Sequence, residues 1–111
     1  MTSHVTTHVL DTSLGLPAAG LAVTLSHVDE RSVEPMAVGT TDADGRITEL
    51  GPKHIPSGTY RLTFDTDAYF ARDDRSAFFP TVEVTFTIET DEHVHVPLLL
   101  SPFGYSTYRG S

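Results

Sequence analysis

Three stretches of the chain alternate apolar and polar residues with a strict period of two, and no other feature restricts the fold as much. Leu21, Val23 and Leu25 alternate with Thr24 and Ser26; Tyr60, Leu62 and Phe64 with Arg61 and Thr63; Val82, Val84, Phe86 and Ile88 with Glu83, Thr85 and Thr87. Successive side chains of a β-strand point to opposite faces, so each stretch offers one face to a core. Residues 5–10 add a strand rich in Thr and Val, with Val5, Thr7 and Val9 on one face and Thr6, His8 and Leu10 on the other. Residues 35–41 form a poorer strand. Arg46-Ile47-Thr48 forms a short one behind the turn Asp42-Ala43-Asp44-Gly45, where Gly45 suits a positive φ.

The intervening segments punctuate this pattern. Residues 11–20, holding Gly15, Pro17 and Gly20, read as a loop. Between residues 67 and 76 the period changes: Tyr69, Phe70 and Asp73 stand at helical spacing, with Asp67 as N-cap. The charged stretch 65–75 then reads as a solvated helix face. A hairpin, residues 93–100 and 103–109, closes the chain. Seven or eight short strands with one helix after the fifth predict an all-β, two-sheet β-sandwich. A length of 111 residues predicts a single domain, 1–111.

Composition removes several classes of function. There is no cysteine, so disulfides, thiol nucleophiles and thiolate metal sites are all excluded. A formal net charge of -8 argues against nucleic acid or an anionic membrane as partner. No stretch approaches the ~20 apolar residues of a membrane-spanning helix. Met1-Thr2-Ser3-His4 lacks the basic start and apolar run of a signal peptide, and Ser111 does not complete a peroxisomal tripeptide. The expectation is a cytoplasmic or already processed protein.

Candidate chemistry gathers near the C-terminal end. His93 and His95 occupy one face of a strand together with Pro97 and Leu99. A lone strand histidine is most often a solvated bystander. Two that meet across adjacent strands, such as His8 and His95, suit general acid/base work, because imidazole titrates near neutral pH. The pair His93-x-His95 also has the spacing of two metal ligands on a strand, with His8 or a carboxylate as a third, but no other spacing supports a metal. Arg46 and Arg109, taken singly, read as surface arginines. No acidic residue completes a Ser/His/Asp arrangement.

These residues resemble a known family. The chain looks like a 5-hydroxyisourate hydrolase, the enzymatic branch of the transthyretin-like proteins. The likeness is carried by Thr6-Thr7-His8-Val9-Leu10-Asp11-Thr12, by Pro17-Ala18-Ala19-Gly20 with Thr41-Asp42-Ala43-Asp44-Gly45-Arg46, by His93-Val94-His95-Val96-Pro97-Leu98-Leu99-Leu100-Ser101-Pro102, and by Tyr105-Ser106-Thr107-Tyr108-Arg109-Gly110-Ser111. The Asp-Gly turn and Pro56-Ser57-Gly58-Thr59-Tyr60 are shared with non-enzymatic prealbumin-like sandwiches. The ending Tyr108-Arg109-Gly110-Ser111 discriminates, since hormone-carrying transthyretins lack it, as they lack counterparts of His8, Arg46 and His95. Val94 stands where an aromatic is frequent in the family. By alternation it faces away from the histidines, so the departure concerns packing.

The resemblance implies a transthyretin-like fold assembled as a homotetramer, with active sites between dimers. The reaction it implies is hydrolytic opening of 5-hydroxyisourate to 2-oxo-4-hydroxy-4-carboxy-5-ureidoimidazoline in urate degradation, with no cofactor and no metal. His8 and His95 would activate water and transfer protons. Arg46 would hold the oxygen-rich substrate and keep a neighbouring histidine neutral. Tyr108, Arg109 and the hydroxyl or carboxylate of Ser111 would position substrate. The alternative is a transthyretin-type carrier of a small aromatic ligand.

Overall fold

The apolar faces of the alternating strands meet in one interior between two sheets. The computed structural model describes residues 2–111. Its elements are β1 (Val5–Asp11), β2 (Leu16–Pro17), β3 (Ala22–Val28), β4 (Val33–Thr40), β5 (Arg46–Ile47), β6 (Gly58–Phe64), α1 (Thr66–Ala71), β7 (Val82–Ile88), β8 (Val94–Ser101) and β9 (Gly104–Thr107). One sheet runs β2-β1-β8-β9, with β5 also pairing β1, and the other runs β4-β3-β6-β7. Val5 and Val9 of β1, Leu25 of β3, Leu62 and Phe64 of β6 and Leu98 of β8 are fully buried between them. Each such side chain contributes about 1.5–3 kcal/mol relative to exposure. In β7 the inward set divides: Val82 and Ile88 are buried, while Val84 and Phe86 are only partly covered.

One pairing matters most for function. β1 and β8 run parallel, with Thr6 opposite His95 and His8 opposite Pro97. The other pairings are antiparallel. Parallel neighbours need a long crossover, and here the whole second sheet and the helix lie between them in the chain. β5 then lays Arg46 directly opposite His8 on the other edge of β1.

Three expectations are corrected. The loop over residues 11–20 contains the two-residue strand β2, whose Leu16 pairs with Asp11, so α1 follows the sixth strand. The helix is shorter than residues 67–76 and its N-cap is Asp65, whose carboxylate accepts from Ala68 N at 3.3 Å. Asp67 lies within the first turn, where a negative charge suits the helix N-terminus. The helix stops because Asp74 adopts φ 55°, and the amides of Asp73 and Arg75 both close back on the Phe70 carbonyl.

That turn also overturns the solvated reading of residues 65–75. It carries Arg75 back onto Asp11, whose side chain is fully buried, at 2.9 Å. Asp11 accepts from Tyr69 OH at 2.9 Å, from Ser13 Oγ at 2.6 Å, and from the amides of Ser13 and Leu14. Burial alone would push the Asp11 carboxyl up, but the donors Ser13, Arg75 and Tyr69 together hold it below the usual carboxylate range. The same burial, reinforced by Asp11, pushes the Tyr69 phenol up.

Candidate active site

His95 lies on the half-buried face of β8, and what surrounds it comes from three other parts of the chain. A cavity of about 210 Å³ is lined by Thr2, by Thr6 and Thr7 of β1, by Arg46 of β5, and by Thr48, His93, His95 and Ser111. The register of β1 against β8 places the Thr6 hydroxyl between two rings, 2.8 Å from His95 Nδ1 and 2.7 Å from His93 Nε2. With Nδ1 engaged, Nε2 is the His95 nitrogen left for water or substrate. Burial lowers the His95 pKa below its ordinary 6.5, and His93, Arg46 and His8 lower it further by opposing a second positive charge. His95 is therefore a neutral imidazole at neutral pH.

Arg46 is placed by the turn before it. Asp42 Oδ1 accepts from the amides of Asp44 and Arg46 at 2.9 and 3.0 Å, and Val9 N donates to the Gly45 carbonyl. Gly45 holds φ 76°, and a Cβ there would stand 2.4 Å from Val9 O, so no other residue fits this approach. Among the described residues no carboxylate pairs with Arg46, which leaves the guanidinium for an oxygen-bearing ligand.

His8 lies beside this cavity rather than in its lining. Its Nε2 donates to the Asp44 carbonyl at 2.9 Å, so the neutral ring carries its lone pair on Nδ1. His8 and His95 do not bond to each other. They communicate through charge, and Arg46 stands opposite His8 on β5.

The tail divides. Ser111 reaches the cavity because Gly110 crosses the His95 backbone, with Gly110 N donating to His95 O at 2.8 Å. A Cβ on Gly110 would stand 2.7 Å from His95 Cδ2 and 3.1 Å from Pro97 Cγ, so the crossing requires glycine. Tyr108 and Arg109 do not join this cavity within the subunit. They line a second one of about 140 Å³ on the other face of β8, with Val84, Phe86, Val94 and Val96. Val94 does face away from the histidines, as alternation requires. Among the described residues no group of three or more His, Asp or Glu is arranged to hold a metal.

Sequence reasoning missed Thr6 and Gly110 as parts of the site and offered His93 only as half of a metal-ligand pair. Thr6 shares the His8 face of β1, but only its register against β8 reveals the bridge.

The fold and the cavity define a class: a prealbumin-type sandwich with a polar, histidine-bearing site at the end of its first sheet. Residues 5–110 match the HIUase/Transthyretin family profile, and the chain belongs to that family. A mouse (Mus musculus) protein, "5-hydroxyisourate hydrolase", is 49% identical over 113 residues, covering 98% of this chain and 96% of its own length. The structure of Klebsiella pneumoniae 5-hydroxyisourate hydrolase superposes with a TM-score of 0.86 at 43% identity, covering 96% of this chain and 98% of that one. Sea bream transthyretin in complex with thyroxine superposes with a TM-score of 0.88 at 34% identity, covering 96% and 93%.

Proposed function

We propose that this protein is a cofactor-free 5-hydroxyisourate hydrolase, acting as one domain over residues 1–111. The observation that carries the reading is the convergence of His95, Arg46 and Ser111 on one polar cavity beside His8. The relatives named as hydrolases, nearly full-length and at 43–49% identity, support it.

The chemistry follows from the atoms available. His95 Nε2, neutral because of burial and its cationic neighbours, removes a proton from water as the water oxygen bonds the ring carbonyl carbon. The carbonyl π pair moves onto oxygen, and Arg46 stabilises the developing oxyanion. Collapse of that intermediate breaks the ring C–N bond, and a histidine returns a proton to the departing nitrogen. His8 would take that second role through Nδ1, the nitrogen the Asp44 carbonyl leaves free: it first gains a proton there from solvent and then passes it to the departing nitrogen. Ser111 holds substrate from the tail side. Tyr108 and Arg109, on the far face of β8, act on substrate only across an interface between subunits, and a homotetramer provides one. The expected compartment is the cytoplasm, and among the described residues no helix is long and apolar enough to cross a membrane.

A carrier of transthyretin type uses the same fold, as the sea bream protein shows at a TM-score of 0.88. What favours catalysis is the titratable, cation-bearing lining, where a carrier of an aromatic ligand would need an apolar one. The deciding experiment generates 5-hydroxyisourate with a urate oxidase and follows its ultraviolet decay. Decay faster than the spontaneous rate is expected, and a rate unchanged by added protein ends the hydrolase reading.

A further inference from the structure

A proton taken by His95 must leave again, and the hydroxyl between the two histidines offers a path away from the substrate. Thr6 Oγ1 has one proton to give and lone pairs to accept with. Set 2.7 Å from His93 Nε2 and 2.8 Å from His95 Nδ1, it can give its proton to only one ring, so at least one of the two must present it an N–H. The two rings therefore cannot choose tautomers independently. When His95 Nδ1 is the donor, His95 Nε2 carries the lone pair and Thr6 aims its proton at His93 Nε2. This is the arrangement in which His95 can act as a base toward the cavity.

Burial falls along the same line. Thr6 is 3% exposed, His95 is half-buried, and His93 is exposed. His93 lines the catalytic cavity and also a neighbouring one of about 230 Å³ that it shares with His4, Lys53, His54 and Asp91. On the His95 side the facing groups are Arg46 of β5 and His8 of β1, with His93 itself, and each opposes a positive charge held there. On the His93 side the Asp91 carboxylate is among the lining groups.

We propose that Thr6 and His93 are positioning residues that set the tautomer of His95 and relay its proton to solvent. This rests on the hydrolase reading. After His95 Nε2 has taken a proton from water, its Nδ1 proton passes to Thr6 Oγ1 as the Thr6 proton passes to His93 Nε2. The His93 Nδ1 proton then leaves to water. One proton enters at His95, one departs from His93, and only N–H and O–H bonds change.

The test compares wild type with Thr6→Val, Thr6→Ser and His93→Gln in the ultraviolet-decay assay across pH. Thr6→Val keeps the side-chain shape and removes the hydroxyl. It should lower kcat by about 10–100-fold, the range found when a partner that fixes a metal-bound histidine is lost, while KM stays unchanged. The acid limb of its pH profile should move to lower pH, because the charged ring has lost its Nδ1–H acceptor. Thr6→Ser should restore most of kcat. His93→Gln can still hydrogen-bond but cannot carry the proton, and should lose kcat as well. Wild-type kcat in Thr6→Val or His93→Gln overturns the proposal. So does a loss in Thr6→Val that leaves the acid limb in place and that Thr6→Ser does not rescue. If Thr6→Val does not fold, His93→Gln decides alone. Should the wild type itself fail to accelerate decay, the hydrolase reading falls first. Imidazole ¹⁵N spectra of wild type and Thr6→Ser then judge the tautomer claim separately: an Nδ1–H tautomer at His95 supports it, and an Nε2–H tautomer overturns it.

Discussion

His95 combines a desolvated ring with three cationic or protonatable neighbours, and its behaviour with pH follows from that. The imidazolium is disfavoured, so the neutral base persists below the ordinary histidine value of 6.5. Turnover measured between about pH 5 and 8 should therefore fall on the acid side with a midpoint below that value. An acid limb above 6.5 would contradict the placement of His95. The same shift bears on stability. The unfolded chain binds more protons than the folded one as pH falls through the histidine range, so this residue makes the fold less stable toward acid. His95→Ala should cost about 10²–10⁴ in kcat. Its circular dichroism should match wild type, since Thr6 and His93 keep water or each other as partners. Gly110 is the second residue whose identity the site demands. In Gly110→Ala the added methyl meets the His95 ring at 2.7 Å, inside ordinary contact distance. The tail or the ring must move, so kcat should drop while the melting temperature stays near wild type. Equal kcat in the two proteins would show that Ser111 reaches the cavity by another route.

Among the elements, β1 carries both halves of the molecule's polar organisation: Thr6 and His8 toward the site, Asp11 toward α1. Asp11→Asn should destabilise the protein at neutral pH by about 1–3 kcal/mol, because a buried carboxylate with five donors becomes an amide that must turn its own N–H₂ toward some of them. The folded-state pKa of Asp11 is held below 3.8, so its stabilisation is present above that value and lost as pH falls through the folded value. Chemical denaturation of wild type and variant should accordingly converge in strong acid; a constant difference would show that charge is not the cause. Legibility differed by element for physical reasons. β3, β6 and β7 were readable because each has one face in the core, and a period of two follows directly. His8, Arg46 and His95 were readable as candidates, though only through resemblance did they become a set. Asp11 read as the start of a loop, because its burial depends on Tyr69 and Arg75, 58 and 64 residues away. Asp67 read as the cap by sequence, and Asp65, two residues earlier, is the cap in the structure. The choice is made by Thr66, whose hydroxyl donates to the Phe79 carbonyl and seats the first turn.

At the scale of the whole molecule, the sheets end in uncovered strands. Val38 on β4 is 73% exposed, and near β9 Phe103 is 76% and Tyr108 58% exposed. Large apolar side chains left exposed on or beside edge strands of both sheets are the kind of surface on which other protein sits. The proposed homotetramer should appear in sedimentation equilibrium as a mass four times that of one chain, and a monomeric mass at working concentrations would remove it. Assembly was legible only through resemblance, since self-association depends on surfaces that no periodicity describes.

The parallel seam between β1 and β8 has a last consequence, for the order of events as the chain is made. Thr6 and His95 are separated by 89 residues. Bringing His95 to Thr6, His8 and Arg46 waits on the closure of that long loop, and such non-local pairing is slow. The β3, β4, β6 and β7 sheet can form from neighbours in sequence while β1 is still without β8. During that interval a strand rich in Thr and Val offers its bare edge to any other nascent chain. Catalytic competence therefore arrives late in folding. Its rate of appearance during refolding would report the joining of the first strand to the eighth, not the formation of the core.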